Sequence, residues 1–377
     1  MSNVRLHMHK IRAFGVGCFH FGYRKSIPFD YSTATYIEEV EAALASLPSL
    51  SELEVSFDEA FTSSFVVSES PPVLMDGDYF PRVMRLAIAF TLFIPHRVQA
   101  ELFPNEPGAM QTTAETFRVT LQDSFHGTST FVECVDASED CSPSDAVRLL
   151  REYLRREFSK LTTAITFEYL GPSPFHANFY LRPSLTDGHD IFMEETKKRG
   201  YNDLVFSYNP IAASDEVLAF LYDELADELG LFYDIQCRAV RLMTLGDSLT
   251  SEWLELQSLT EQYPSIYNLR ARLRIHSESQ AIVSHAYTLQ AQLAIQERQV
   301  ERDVASTYDK GTPTYLDAYV RGRVGKLPTY PVESILKWAE HIEGASFKQA
   351  EIAAVVLSAI GGGVVGSVAT LLASRGS

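Results

Sequence analysis

Ten histidines and four cysteines supply the first candidates for chemistry in this chain. His189 and Asp190 lie in a Thr-Asp-Gly-His-Asp stretch, and Glu195-Thr196-Lys197 follows closely. An imidazole beside carboxylates and a lysine can hold a metal or move protons in a hydrolysis. His189, Asp190, Glu195 and Lys197 are therefore the catalytic candidates, and they would serve a hydrolase or nuclease. Their setting argues against that chemistry, because residues 194–199 read as a helix where such a site calls for a strand. His7 and His9 are two apart, which suits one face of a strand, and His20 stands near Cys18. Cys18, Cys134, Cys141 and Cys237 form no CxxC pair, and neither HExxH nor a zinc-finger pairing occurs. No metal site is expected, and no cofactor is indicated. Gly15-Val16-Gly17 lacks the third glycine and following helix of a dinucleotide loop. Phosphate-loop and nucleophile-elbow motifs are both missing.

Arginines offer a second chemistry. Arg148, Arg151, Arg155 and Arg156 lie opposite the apolar stripe of one helix. Their guanidinium forks suit a phosphate, a nucleotide or an acidic neighbour. The competing reading is a solvated face that neutralises Glu152 and Glu157. Arg270, Arg272 and Arg274, with His276, form a similar cluster with the same two readings.

The elements that must position these residues come in two textures. Residues 1–210 read as an α+β domain that binds a ligand or partner. A helix capped at Ser32 or Thr33 runs to Leu47, where Pro48 stops it. Strand patterns cover Leu53–Phe57, Arg85–Ile94, Thr116–Leu121 and Thr130–Val135. The helix of the arginine face follows, with Val147, Leu150, Leu154, Phe158 and Leu161 turned inward. Ala164–Leu170 and Asn178–Leu181 read as a strand pair around Gly171-Pro172-Ser173-Pro174, and Leu204–Tyr208 as one more strand.

Residues 214–308 change to a helical rhythm. Leu218, Leu221, Leu225, Glu228, Phe232, Ile235, Ala239, Leu242, Gly246, Leu249, Trp253, Leu256 and Thr260 alternate spacings of three and four. This is a seam of about six heptads, interrupted by Glu228 and Gly246. After Tyr263-Pro264-Ser265 the rhythm resumes at Ile275, Ser279, Ile282, Ala286, Leu289, Leu293, Gln296 and Val300. The spacing predicts an antiparallel, coiled-coil-like hairpin roughly 60–70 Å long. Residues 309–345 read as a linker with a short helix from Val332.

Residues 350–374 contain IAAVVLSAIGGGVVGSVATLLAS, without charge from Ile352 to Ser374. As a helix that run would be roughly 34 Å long, which matches a bilayer core. The expectation is one C-terminal transmembrane helix acting as a tail anchor. Ala354, Ser358, Gly362, Gly366 and Thr370 would form its packing face in a homo-oligomer.

The formal charge is -17, from 32 basic and 49 acidic residues, so no nucleic-acid partner is expected. No secretory leader is apparent, and the bulk of the chain is expected on the cytoplasmic side of the cell membrane. The order of parts resembles the general plan of the CorA magnesium-channel family. One membrane helix in place of two, and no Gly-Met-Asn signature, leave no residue or transport activity to carry over. The expected function is an oligomerising, tail-anchored membrane effector or sensor. The alternatives are a membrane-tethered hydrolase or nuclease and a coiled-coil membrane adaptor.

Overall fold

The computed structural model describes residues 11–24, 32–57, 66–69, 79–83, 85–104, 112–135, 142–170, 175–184, 191–262, 269–308 and 314–342. It is α+β, and the chain divides into two compact units. The first runs to Val240 and includes Val300–Lys326, while the second comprises Arg241–Gln299 and the chain from Leu327.

The first unit is built on an eight-stranded sheet. In spatial order its strands are β11 (Phe192–Thr196), β12 (Asn202–Tyr208), β10 (Ala177–Pro183), β1 (Arg12–Gly17), β8 (Thr128–Val135), β7 (Thr116–Asp123), β6 (Ala87–Phe93) and β3 (Leu50–Ser56). Every neighbouring pair is antiparallel except β10 with β12. A four-stranded sheet sets β4 (Val66–Glu69), β5 (Tyr79–Arg82), β2 (Phe19–Tyr23) and β9 (Ile165–Tyr169) side by side. Cys18 is the single residue between β1 and β2, so there the chain leaves one sheet for the other.

Helices α1 (Thr33–Ala45), α2 (His96–Leu102) and α3 (Pro143–Phe158) belong to this unit, with α1 and α3 packed on the strands. Alternation along β1 separates the two faces of the large sheet. Gly15 and Gly17 meet α3: a Cβ on Gly15 would sit 2.4 Å from the Pro143 carbonyl oxygen. The Gly-Val-Gly run is thus a close helix-to-strand approach. Phe14 points the other way and packs edge-on to Tyr222 at 5.1 Å, in the first half of α4 (Ser214–Gln262). Gly230 of α4 lets the helix approach the β7–β8 turn, where its Cβ would meet Ser124 Oγ at 2.5 Å. The Arg12 guanidinium chelates Glu133 of β8 and also reaches Asp215 at the start of α4. Both faces of β1 and β8 are therefore covered, and both strands are almost wholly buried.

The two long helices, α4 and α5 (Leu269–Tyr308), carry the expected seam. In the second unit Leu242, Leu249 and Leu256 share one core with Ile275, Ile282, Ala286 and Leu289. Arg274 pairs with Glu255 and His285 with Glu252, so the helices run antiparallel. Both seam interruptions have partners in the chain that follows α5. In the first unit the buried Glu228 accepts from the backbone N–H groups of Tyr315 and Leu316, each at 2.8 Å. These precede α6 (Asp317–Val324), a helix within the stretch expected as linker. In the second unit Gly246 lies under the Tyr330 ring, which a Cβ would approach to 2.1 Å. A further helix, α7, spans 332–342, and its Trp338 stands edge-on to Trp253 at 6.1 Å.

Three expectations are corrected. Among the described residues no helix is long and apolar enough to cross a membrane, which overturns the transmembrane tail anchor in the expected fold. That expectation rested on the length and uncharged apolar sequence of the run, and residues 350–374 themselves lie outside the described residues. The strand pair around Gly171 is not a hairpin, because β9 and β10 belong to different sheets. Residues 192–196 form strand β11, not a helix, since pairing along β12 outweighs the helical preference of the two glutamates.

Candidate functional site

Helix α3 places the arginine face. Its inward residues Ala146, Val147, Leu149, Leu150, Tyr153, Leu154 and Phe158 are buried, so the arginines fall on its flank and outer side. The N-terminus of α3 is held from outside the helix: the Ser144 N–H donates to Asn178 Oδ1 of β10 at 3.2 Å. Asn178 Nδ2 in turn donates to Asp203 Oδ1 of β12 at 3.3 Å. A strand side chain thus satisfies a helix N–H that the helix leaves open.

Beside the first two turns of α3 lies a cavity of about 340 Å³. Gly17 and Cys18 from the β1–β2 junction form one wall, and Phe175, Ala177 and Tyr201 another. Ser144, Asp145, Arg148 and Arg151 line it from the helix. Among the described residues its charged groups are two guanidiniums and one carboxylate. The volume lies within the range of small-molecule sites.

Aromatic rings hold both arginines. The Arg148 guanidinium carbon sits 5.0 Å from the Phe103 ring centre, and that of Arg151 sits 4.8 Å from the Tyr169 ring centre. Stacking of this kind engages the guanidinium face, and it is the edge of a guanidinium that pairs with a planar or tetrahedral anion. Arg151 also donates to Glu152 at 3.2 Å, so an incoming anion competes with a neighbouring carboxylate. Arg155 is not among the lining residues; it is exposed and donates through Nε and Nη2 to Glu152 Oε2.

The remaining sequence candidates do not converge. Glu195 is on β11, where its carboxylate accepts from Tyr319 Oη and Asn202 Nδ2, each at 2.7 Å. It ties α6 to the sheet edge. Lys197 follows the strand and is exposed. His189 and Asp190 lie outside the described residues, as do Ala354, Ser358, Gly362, Gly366 and Thr370. Arg274 forms exposed pairs with Glu255 and Glu278, while the side chains of Arg270 and Arg272 are not described. Among the described residues no group of three or more His, Cys, Asp or Glu could hold a metal ion.

One constellation was only half visible in sequence. Cys18 and His20 are two apart across the β1–β2 junction, so their side chains share a side, with Sγ 3.0 Å from Nε2. The residues that orient this histidine, Thr128 and Asp123, come from β8 and β7, more than 100 positions away. No local motif could have named them.

No protein-family model, no curated protein and no solved structure matches the chain.

Proposed function

We propose that the first unit is a receptor for a small anionic ligand, with Arg148 and Arg151 as the groups that pair with its charge. The observation that carries this reading is two ring-stacked guanidiniums in one cavity of about 340 Å³, on a chain of formal charge -17. In so acidic a protein a basic cavity is a selective feature of the field, because anions are repelled elsewhere and drawn there. Asp145 in the lining sets the limit: the ligand's negative charge belongs at the Arg148–Arg151 end.

The test is thermal unfolding of the full chain with inorganic phosphate, pyrophosphate and nucleoside phosphates at constant ionic strength. A midpoint that rises with one of these anions, and a rise lost in Arg148→Gln/Arg151→Gln, supports the reading. Equal shifts in both proteins, or none in either, count against it.

A second reading concerns the second unit alone. Met243 and Leu254 on α4, and Leu273, Tyr287 and Ile295 on α5, are large apolar side chains about half exposed. On each helix they fall within about 80° of arc, so each forms a stripe. This favours an assembly surface, either for a second copy of the chain or for a helical partner. Light scattering of the full chain against a Leu254→Glu/Leu273→Glu variant tests it: an unchanged mass would count against self-association.

A further inference from the structure

The Cys18–His20 contact belongs to a longer hydrogen-bonded chain that ends at the anion cavity. Cys18 Sγ lies 3.0 Å from His20 Nε2, and His20 Nδ1 lies 3.2 Å from Thr128 Oγ1. Thr128 Oγ1 donates to Asp123 Oδ1. The direction of the protons follows from what each group can donate. A carboxylate only accepts, so the single hydroxyl hydrogen of Thr128 is committed to Asp123. The hydroxyl oxygen is left to accept, and the nitrogen facing it, Nδ1, must carry a hydrogen. A neutral imidazole protonated at Nδ1 is bare at Nε2, the nitrogen that faces the thiol. Cys18 therefore meets a base already in the accepting tautomer and held there by a third group. That order of nucleophile, base and orienter is the arrangement that activates a side-chain nucleophile.

Cys18 is also part of the wall of the cavity lined by Arg148 and Arg151. Cationic groups near a thiol favour its thiolate form. Buried structural cysteines are ordinarily inert, and this one differs in having both a base and a cavity.

Resting on the anionic reading of that cavity, we propose that Cys18 is a nucleophilic thiol for small anionic disulfides, with His20 as its base. The S–H proton passes to His20 Nε2, and the thiolate attacks one sulfur of the bound disulfide. A new sulfur–sulfur bond forms as the old one breaks, and its electron pair leaves on the departing sulfur. The imidazolium returns the proton to that sulfur, so one thiol and one mixed disulfide result. A second thiol reverses the step. Exchange of this kind requires only a thiolate, a reachable sulfur and a proton for the leaving group, all of which these residues supply.

The experiment compares two probes on the full chain, the dianionic 5,5′-dithiobis(2-nitrobenzoate) and the neutral 4,4′-dithiodipyridine. Rates are normalised to free cysteine, and the labelled peptide is mapped by mass so that Cys18 is separated from the other cysteines. The expected result is labelling of Cys18 with the dianionic probe favoured by about tenfold. Arg148→Gln/Arg151→Gln should remove that preference, slowing the dianionic probe about tenfold more than the neutral one. His20→Gln should slow both probes roughly a hundredfold near neutral pH. It should also move the inflection of the pH–rate profile upward, which a purely structural defect would not do. In case that variant fails to fold, the wild-type profile stands as a second measurement: an inflection at the position found for free cysteine overturns the assignment. Labelling of other cysteines with Cys18 untouched overturns the nucleophile. Equal normalised rates for the two probes overturn the anionic class. Calorimetry of phosphate with Cys18→Ser, which needs no thiol, then shows whether the cavity reading falls with it.

Discussion

Replacing Glu228 with leucine tests how the chain after α5 is held on the first unit. The Glu228 carboxylate is buried in α4 and accepts from the N–H groups of Tyr315 and Leu316 at 2.8 Å each. Leucine leaves those two N–H groups buried without an acceptor, which costs about 1–3 kcal/mol each. Leucine also recovers about 1–2 kcal/mol of apolar burial. The net loss for Glu228→Leu is then about 1–4 kcal/mol, a fall of about 3–15 °C in the unfolding midpoint for a domain of this size. Hydrogen exchange should place the defect: amides of 314–324 exchange faster, while those of β8 keep their protection.

The pH dependence gives an independent sign. Burial holds the Glu228 carboxyl above its ordinary range, and the two backbone bonds only partly oppose this. A carboxyl with a raised folded value contributes stability that is present below the ordinary carboxylate range and is lost as pH rises through the raised value. The deficit of Glu228→Leu should therefore be larger near pH 4 than near pH 7. A midpoint within about 1 °C of wild type, with unchanged exchange over 314–324, would refute this reasoning.

Gly246→Ala places a Cβ 2.1 Å from the Tyr330 ring and should expel it, breaking the Tyr330 Oη bond to the Met243 carbonyl. A loss of about 1–3 kcal/mol is expected, and the cost should not add to that of Tyr330→Ala in a double-mutant cycle by denaturant titration. His126, buried and 2.9 Å from Thr307 Oγ1, has its imidazole pushed below the ordinary histidine value by burial. The opposing carboxylates of Asp303, Asp234 and Asp227 do not overcome this, and Arg238 reinforces it. The unfolded chain then binds the proton more readily, so stability should fall as pH drops below the ordinary histidine value. Thermal melts from pH 7.5 to 5.5 should show that slope in wild type and a flatter one in His126→Gln.

The sequence was most legible where one periodicity governed a long stretch. From Leu218 to Leu256 the spacing set both the helix and its buried face, because 3.6-residue geometry leaves no other seam. The two residues that broke the rhythm, Glu228 and Gly246, were visible as breaks, but not as docking points. Their partners lie 87 and 84 positions downstream, at Tyr315 and Tyr330. The β-rich part was legible strand by strand and illegible as topology. Ala164–Leu170 and Asn178–Leu181 flank a turn-rich tetrapeptide as a hairpin would, yet their partners are Phe19–Tyr23 and Arg12–Phe14, set by tertiary packing. At the site, the arginine face was apparent from helical spacing. Which arginines enter a cavity was not, because that depends on Gly17, Phe175 and Tyr201 from other elements.

Isothermal titration of the full chain with inorganic phosphate and pyrophosphate, against Arg148→Gln/Arg151→Gln, addresses the central claim most directly. The account predicts saturable binding of one anion per chain, weakened at least about tenfold in the variant with an unchanged melting profile. No heat beyond dilution in wild type, or equal affinity in the two proteins, would contradict it.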